Sequence, residues 1–199
     1  MFSGCLTLHG VIIMEAINAL LQRVSCGKLT EPAPTLEARE AIFSAALRAA
    51  DHANLRPWRF LVIEGDGRAH LGEVFSAAAL ADDAKLNEAQ LERYKKMPTR
   101  APLLVVAVAQ TKQHYKVPQI EQVIAAGAAV QNMLTAAFAL GIGAYWRTGL
   151  MAYHPYVMKA LGLVEGESIV GFLYLGSPEG KLKPLPELAV ADYFEAWPS

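Results

Sequence analysis

The segment from about Ile120 to Leu140 constrains the fold more than any other part of the chain. Its apolar residues recur with the three- and four-residue spacing of an α-helix, and most of the remaining positions are alanine. A helix that is apolar on almost all sides is central to a core or an interface. Gly141 and Gly143 follow it and predict its end. The sequence therefore predicts one long central helix on which other elements pack.

Strands are predicted mainly by short apolar runs. Residues 103–109 read LLVVAVA, which is typical of a strand buried on both faces. Residues 168–175 (SIVGFLYL) predict a strand closed by a Gly-Ser-Pro turn. Residues 59–64 predict another strand, which follows a polar segment, the elbow of residues 51–59. Residues 144–148 predict a short strand or a loop.

Helices are predicted before and between these strands along the chain. An amphipathic pattern covers residues 14–24, with Ile17, Leu20 and Leu21 on one side. Thr35 suits the N-cap of a second helix that runs to about Ala50. The remaining predictions are a turn at residues 65–67, a polar helical stretch over 68–97 with a solvated basic face, and a small helix from Pro155 to Leu161. We find no repeat or linker, so we expect one α+β domain over residues 14–199.

Composition limits the partners of this domain. Hydrophobic residues make up 53% and charged residues 19%, an excess of apolar surface that a dimer interface could take up. The net charge of −1 gives no electrostatic reason to expect nucleic acid or an anionic membrane. Two cysteines and five scattered histidines lack metal-ligand or disulfide spacing, so we expect no metal site and a cytoplasmic location.

The first 13 residues, MFSGCLTLHGVII, lack the basic region and the small-residue cleavage site of a signal peptide. A cleaner helical pattern opens at Met14. We therefore expect residues 1–13 to be an N-terminal extension, either disordered or the result of an early start assignment.

Four polar clusters stand at the ends of predicted elements. An arginine and a hydroxyl at a turn, as in Arg23-Val24-Ser25, can hold a phosphate through charge-assisted hydrogen bonds. The same residues also suit a helix C-cap and a turn, and each other cluster has a similar structural alternative. The other clusters are Arg48 with His52 and Asn54, Trp146-Arg147-Thr148, and Lys181 with Lys183.

Common nucleotide and nucleophile motifs do not fit. The pair Gly141-Ile142-Gly143 follows a helix and lacks a third glycine, so it is not a dinucleotide-binding fingerprint. The sequence also contains no P-loop, G-x-S-x-G elbow or H-E-x-x-H motif.

Taken together and in order, the clusters resemble the nitroreductase family, specifically its small single-domain YdjA-like NAD(P)H nitroreductases. The resemblance runs from about Met14 to Tyr193. Its landmarks are the Arg-x-Ser of residues 23–25, the elbow RAADHANLRPWRFLVIEG, the helix AAGAAVQNMLTAAFALGIGAYWRTG and the strand IVGFLYLGSP.

The resemblance implies a central, mostly antiparallel sheet flanked by helices in an intertwined homodimer, with FMN at the subunit interface. It implies an FMN-dependent oxidoreductase, a flavoprotein that takes hydride from NAD or NADP cofactors in their reduced form and reduces nitroaromatic, quinone-like or other small acceptors by a ping-pong mechanism. The flavin carries the chemistry, so no side chain need be catalytic. A non-enzymatic FMN-binding protein for storage or sensing stays open as the alternative.

The same resemblance implies a set of binding residues. Arg23 and Ser25 would bind FMN from one subunit, and Arg48, His52 and Asn54 from the other. Trp146, Arg147 and Thr148 would line the isoalloxazine ring, and Lys181 or Lys183 would reach the phosphate. A cation would stabilise the reduced ring, with Arg23, Lys28 and Arg147 as candidates. The expected NAD(P)H contacts are Ala136, Ala137, Phe138, Ala139, Leu140 and Gly141.

Three residues depart from the family pattern. Val24 replaces the second arginine of the usual Arg-Arg-Ser, which removes one cation from the expected phosphate site. Arg56 replaces the usual glutamine before Pro-Trp, and Thr148 replaces the usual serine after Trp-Arg.

Overall fold

The structure, a computed structural model, describes residues 6–8 and 11–198 of the 199-residue chain. Its strands are β1 (Leu6–Leu8), β2 (Val11–Ile13), β3 (Leu29–Thr30), β4 (Trp58–Glu64), β5 (Leu103–Gln110), β6 (Gly143–Arg147) and β7 (Glu167–Pro178). Its helices are α1 (Ala16–Gln22), α2 (Leu36–Ala46), α3 (Asp66–Asp82), α4 (Glu88–Lys95), α5 (Gln119–Ala139) and α6 (Pro155–Ala160).

A five-stranded sheet organises the chain. β7 pairs with β5, β5 pairs with β4, and both β6 and the short β3 also pair with β7. Every one of these pairings is antiparallel. The predicted α+β class with an antiparallel sheet is therefore confirmed.

β5 carries hydrophobic side chains on both faces of the sheet, as its sequence predicted. Leu103, Val105 and Ala107 face the cluster that contains α2 and α5 residues. The alternate residues Leu104 and Val106 join a second cluster with α3 and α6 residues. Because successive side chains of a strand point to opposite faces, one apolar run supplies both cores.

α5 packs on one face of this sheet, beside α2. It is the one helix in the described residues that is long and apolar enough to cross a membrane by length and composition. Its buried face, which includes Ala129, Val130 and Met133, belongs to the core between the sheet and α2. α5 is thus the core helix that the sequence predicted, although its opposite face is exposed.

Several helix boundaries differ from the predictions. The second helix ends at Ala46 because the chain turns there toward the polar segment before β4. The expected turn at residues 65–67 is mostly helix, since Gly65 adopts a φ of 54° and α3 begins at the next residue. The predicted helical stretch over 68–97 is two helices, α3 and α4, because Asn87 starts a new helix with a capping box.

The amino-terminal prediction is not tested. β1 and β2 pair antiparallel, while residues 1–5, 9 and 10 lie outside the described residues. That residues 1–13 are an extension, and that residues 14–199 are one domain, both stay predictions.

α4 packs closely against α3, and Gly72 makes this contact possible. A Cβ atom at Gly72 would lie 2.2 Å from the backbone oxygen of Lys95, so any larger residue must push α4 away. We expect Gly72→Ala to lower the free energy of unfolding by about 1–2 kcal/mol, because overpacking outweighs the gain in helix propensity. Chemical denaturation measures this change.

Gly127 provides the matched control, because it is also a glycine within a helix. Its added Cβ would lie 3.8 Å from the Trp146 ring, an ordinary contact. We expect Gly127→Ala to leave stability unchanged or raise it by up to about 1 kcal/mol. Equal effects of the two substitutions would contradict the close α3–α4 contact.

Candidate functional site

Residues 51–59 form the elbow between α2 and β4, and the structure places the last two of them, Trp58 and Arg59, at the start of β4. His52–Asn54 form a short 3₁₀ turn, and the Asp51 carboxylate accepts a hydrogen bond from the Arg56 backbone N–H. Ala53, Asn54 and Arg56 all have positive φ angles, a conformation that costs energy for residues other than glycine. The elbow is therefore a strained loop whose shape is held by its own polar groups.

Two elbow-side donors face solvent. Arg48 and Asn54 are exposed, and neither side chain has a hydrogen-bond partner within the described residues. The exposed His52 ring places Nδ1 2.7 Å from Oε2 of Glu121 in the first turn of α5. Its other ring nitrogen has no partner in the described part of the chain.

Arg59, which the sequence places among the elbow donors, belongs to the framework instead. Its guanidinium donates two hydrogen bonds of 2.7 Å each to the two carboxylate oxygens of Glu167. These hydrogen bonds lower the pKa of Glu167 to about 2, and hydrogen bonds from Gln110 and the Val164 backbone add to the effect. Nη2 also donates to the Gly162 carbonyl over 3.2 Å, so the guanidinium is directed at Glu167 and Gly162 as a structural group.

Arg23 and Ser25 follow α1 and lie beside β6. The Cys26 backbone N–H donates to the Ala144 carbonyl over 2.9 Å, which attaches this segment to the sheet. Arg23 lines a small cavity of about 180 Å³ together with Leu134 and Phe138 of α5. The cavity is otherwise almost wholly apolar, so the guanidinium is its principal charged group.

These two groups of residues lie at different ends of α5. His52 contacts Glu121, whereas Arg23 shares a cavity with Leu134. Thirteen residues of helix separate the two contacts, which is about 20 Å at 1.5 Å per residue. Within one chain, Arg23 and His52 therefore do not meet around one ligand.

The predicted residues of β6 point to opposite faces of the sheet. Trp146 faces α5, and its Nε1–H donates to the Val170 carbonyl over 3.2 Å. A Cβ atom at Gly171 would lie 2.1 Å from that nitrogen, so this glycine makes room for the ring. Arg147 lies on the other face, with its guanidinium carbon 3.8 Å from the centre of the Tyr145 ring.

Arg147 and Thr148 line a larger cavity of about 420 Å³. It lies on the α3–α4 side of the sheet, and its wall also includes Tyr94, Arg100 and Tyr174. Burial raises the pKa of the Tyr174 phenol, while the charges of Arg100 and Arg147 oppose this rise. The phenol therefore stays protonated at neutral pH and can donate a hydrogen bond.

Sequence reasoning missed Tyr94, Met97, Arg100 and Tyr174 as cavity residues. The basic residues near the end of α4 looked like a solvated helix face, and Lys95 does form ion pairs there with Glu73 and Glu92. The position of Tyr174 on β7 was available from the alternation of its strand. No local signal distinguished Arg100, because its role depends on how the turn that follows α4 packs on α3.

The expected NAD(P)H segment is divided between core and cavity. Ala137 is fully buried, while Phe138 and Gly141 line the small cavity. Gly141 has a φ of 71°, which ends α5 and leads the chain into β6. Leu182 of the carboxyl-terminal tail lines the same cavity, and its neighbours Lys181 and Lys183 are exposed.

α1 and the first part of α5 carry exposed apolar side chains. Ile17, Leu20 and Leu21 of α1 are 60–66% exposed. Ile120 and Ile124 of α5 are each 63% exposed. Large apolar residues in such groups are typical of surfaces that another protein covers.

Comparisons with known proteins agree with this architecture. A sequence profile described as "Nitroreductase family" matches residues 20–177. Escherichia coli (strain K12) YdjA, a candidate NAD(P)H nitroreductase by name, is 42% identical over 168 residues, covering 84% of this chain and 91% of YdjA. A Haemophilus influenzae protein with a similar name is 34% identical and covers 82% of this chain and 89% of its own.

Solved structures share the fold. A nitroreductase-like protein from Bacillus cereus superposes with a TM-score of 0.79 at 20% identity, over 94% of this chain and 97% of that one. A nitroreductase-type protein from Desulfovibrio desulfuricans, solved in complex with FMN, superposes with a TM-score of 0.70 at 26% identity, over 92% and 98% of the two chains. On the evidence of its fold, its matched residues and its relatives, the chain belongs to the nitroreductase family.

Proposed function

We propose that this protein is an FMN-dependent oxidoreductase that takes hydride from NAD(P)H and reduces nitroaromatic, quinone-like or other small oxidised acceptors in a ping-pong cycle. The observation that carries the proposal is the arrangement around β6. Cationic and hydroxyl groups of Arg23, Ser25, Arg147 and Thr148 lie there beside two largely apolar cavities. Membership of the nitroreductase family makes an oxidoreductase the expected activity of such a site.

The donor set fits the chemistry of FMN, which combines a phosphate, a polar ribityl chain and a planar ring. Within the described residues, Arg23, Lys28 and Arg48 have no carboxylate partner. Such free cations suit a phosphate, and the apolar cavity walls suit a ring. The relative from Desulfovibrio desulfuricans was crystallised with FMN, which supports the same assignment.

Each group of residues has a distinct role in this proposal. Arg23 and Ser25 hold the phosphate or ribityl chain through charge-assisted hydrogen bonds. Arg147 and Thr148 lie beside the ring, as does the main chain at Trp146, whose side chain is anchored in the core. The bound flavin supplies the hydride-transfer chemistry, and the protein supplies position and electrostatics.

Arg48, His52 and Asn54 of the partner subunit would complete the site. The separation of about 20 Å along α5 keeps the two groups apart within one chain, so a shared ligand needs two chains. The exposed apolar residues of α1 and α5 provide a surface for that homodimer. The Glu121 carboxylate holds the His52 ring and leaves its other nitrogen for the ligand.

The end of α5, residues 136–141, is the proposed contact region for NAD(P)H. Phe138 and Gly141 reach the small cavity, whereas Ala137 is part of the core and acts through the position of the helix. Lys181 and Lys183 are exposed beside this cavity, where either could meet a phosphate. We place the enzyme in the cytoplasm, where reduced nicotinamides are available.

The absorption spectrum of the purified protein tests this function. We expect a yellow protein with one FMN per chain, and we expect anaerobic NADH or NADPH to bleach the flavin band rapidly. Subsequent addition of a nitroaromatic or a quinone should restore the colour. A yellow protein that neither nicotinamide bleaches would instead be a non-enzymatic FMN-binding protein, and a colourless protein that does not take up added FMN would contradict the proposal altogether.

A further inference from the structure

The larger cavity has walls that suit a planar aromatic ligand. Phe75, Phe172 and Tyr174 form its floor, and Tyr94 and Tyr145 contribute further aromatic surface. Its volume of about 420 Å³ lies within the range of small-molecule sites. A flat ring can pack there against aromatic side chains at little entropic cost, because these walls are buried and already ordered.

The same cavity carries two cations and no carboxylate. Arg100 and Arg147 are both lining residues, and no lining residue is Asp or Glu. Other cations nearby are engaged, since Arg68 donates to the Ala101 carbonyl over 2.7 Å and Lys95 pairs with Glu73 over 3.1 Å. Arg100 has no such partner within the described residues, so its charge is available to a ligand.

Tyr174 adds a neutral hydrogen-bond donor to the same cavity. The residue is 3% exposed, yet its hydroxyl makes no hydrogen bond to the described residues. No fully buried side-chain oxygen or nitrogen among the described residues lacks a hydrogen-bond partner, so this hydroxyl has access to the cavity that Tyr174 lines. Both Arg100 and Arg147 act electrostatically on this phenol. A phenol hydroxyl that faces a cavity and has no protein partner can donate a hydrogen bond to a ligand or to water there.

We propose that Arg100, Arg147 and Tyr174 form an oxyanion subsite that binds a planar aromatic electron acceptor through a carboxylate. The guanidinium of Arg100 supplies an ionic contact, and the Tyr174 hydroxyl donates a hydrogen bond to the same group. Arg147 fixes the opposite side while its guanidinium stacks on Tyr145. This inference rests on the proposed function and names the acceptor class as aromatic carboxylates.

Two ligands could present an electron-rich oxygen on a flat ring to this subsite. One is the carboxylate of an aromatic acceptor, and the other is a ring carbonyl of FMN. The full charge of a carboxylate matches two guanidiniums better than a neutral carbonyl does. The experiment therefore has one arm for the acceptor and one for FMN.

The acceptor arm compares 4-nitrobenzoate with 4-nitrobenzamide, which has nearly the same shape and no charge. We expect the wild-type protein to prefer the benzoate by about tenfold in kcat/KM, the low end of the contribution of a charge-assisted hydrogen bond. Arg100→Gln and Tyr174→Phe should each remove most of this preference, because each lowers kcat/KM for the benzoate more than for the benzamide. Arg93→Gln is the matched control, because Arg93 is exposed near the end of α4 and lines no described cavity.

A binding measurement tests the subsite without any enzymatic reduction. Calorimetric titration of the FMN-loaded protein with benzoate, which cannot be reduced, should show affinity that falls about tenfold in Arg100→Gln and Tyr174→Phe. Benzoate binding without nicotinamide oxidation would contradict the proposed function and support the subsite. Normal nicotinamide oxidation with no benzoate preference in either assay would contradict the subsite alone.

The FMN arm titrates each apoprotein with FMN. We expect the FMN dissociation constants of Arg100→Gln and Tyr174→Phe to stay close to the wild-type value. If both substitutions instead weaken FMN binding and the benzoate preference is absent, Arg100 and Tyr174 bind the cofactor and the proposed acceptor subsite is wrong.

Discussion

Arg59→Leu should lower the free energy of unfolding by about 2–3 kcal/mol, because it leaves the Glu167 carboxylate buried without its counter-charge. The Glu167 side chain is 5% exposed and that of Arg59 is 28% exposed. Leucine keeps much of the arginine stem volume, so the loss reports the charge more than the packing. Chemical denaturation at neutral pH measures the change.

This pair has a large effect because it connects four parts of the fold. Arg59 lies at the start of β4 and Glu167 at the start of β7. Gln110 at the end of β5 also donates to Glu167, and the Arg59 guanidinium reaches the Gly162 carbonyl. The elbow leads into β4, so the same pair holds the base of the proposed partner-facing site.

A second substitution isolates the buried charge. In the Arg59→Leu background, Glu167→Gln should restore part of the lost stability, because no uncompensated carboxylate remains. Glu165→Gln is the matched control, since Glu165 is an exposed carboxylate two residues away. Additive losses from the Arg59 and Glu167 substitutions would contradict a direct coupling between the two side chains.

The same pair predicts how stability depends on pH. The folded-state pKa of Glu167 is about 2, below its ordinary value of 4.5. A lowered pKa stabilises the folded state above the ordinary pKa, and this contribution is lost as pH falls from about 4.5 toward about 2. The stability difference between wild type and Glu167→Gln should therefore shrink across that acid range, and a difference independent of pH would contradict the assignment.

Most of the fold could be predicted from the sequence because its main signals are local. The apolar run of β5 and the helical period of α5 each identify an element without knowledge of its neighbours. Thr35 likewise caps α2 as predicted, with its hydroxyl accepting from the Ala38 N–H. The division of residues 68–97 into α3 and α4 was missed although its signal is local, since Asn87 and Gln90 have the spacing of a capping box.

The candidate site was predicted less completely because it combines distant segments. The polar clusters at element ends identified Arg23, His52 and Arg147, but their sequence positions could not reveal which face of the sheet each occupies. Trp146 and Arg147 are adjacent in sequence and point to opposite faces. Arg59 looked like a free donor in the elbow, and only its distant partner Glu167 removes it from the site.

Arg23→Ala should weaken FMN binding about 10–100-fold, the range expected for a charge-assisted hydrogen bond to a phosphate. Arg23 is half-buried beside the small cavity. Its neighbour Val24 carries no charge, and no other described residue that lines this cavity is charged, so no second cation there can compensate for its loss. Fluorescence titration of the apoprotein with FMN measures the dissociation constant. The melting temperature of the apoprotein should stay close to that of wild type, and Arg93→Ala should bind FMN normally.

A mixed dimer turns this prediction into a test of the two-chain site. Arg48→Ala should also weaken FMN binding, and a heterodimer of Arg23→Ala with Arg48→Ala chains, isolated through different affinity tags, should contain one intact site and one doubly defective site. In that heterodimer, half of the FMN should bind with wild-type affinity, because the intact Arg23 and Arg48 come from different chains. If both sites of the heterodimer instead bind weakly, each chain uses its own Arg23 and Arg48, and the shared site is wrong.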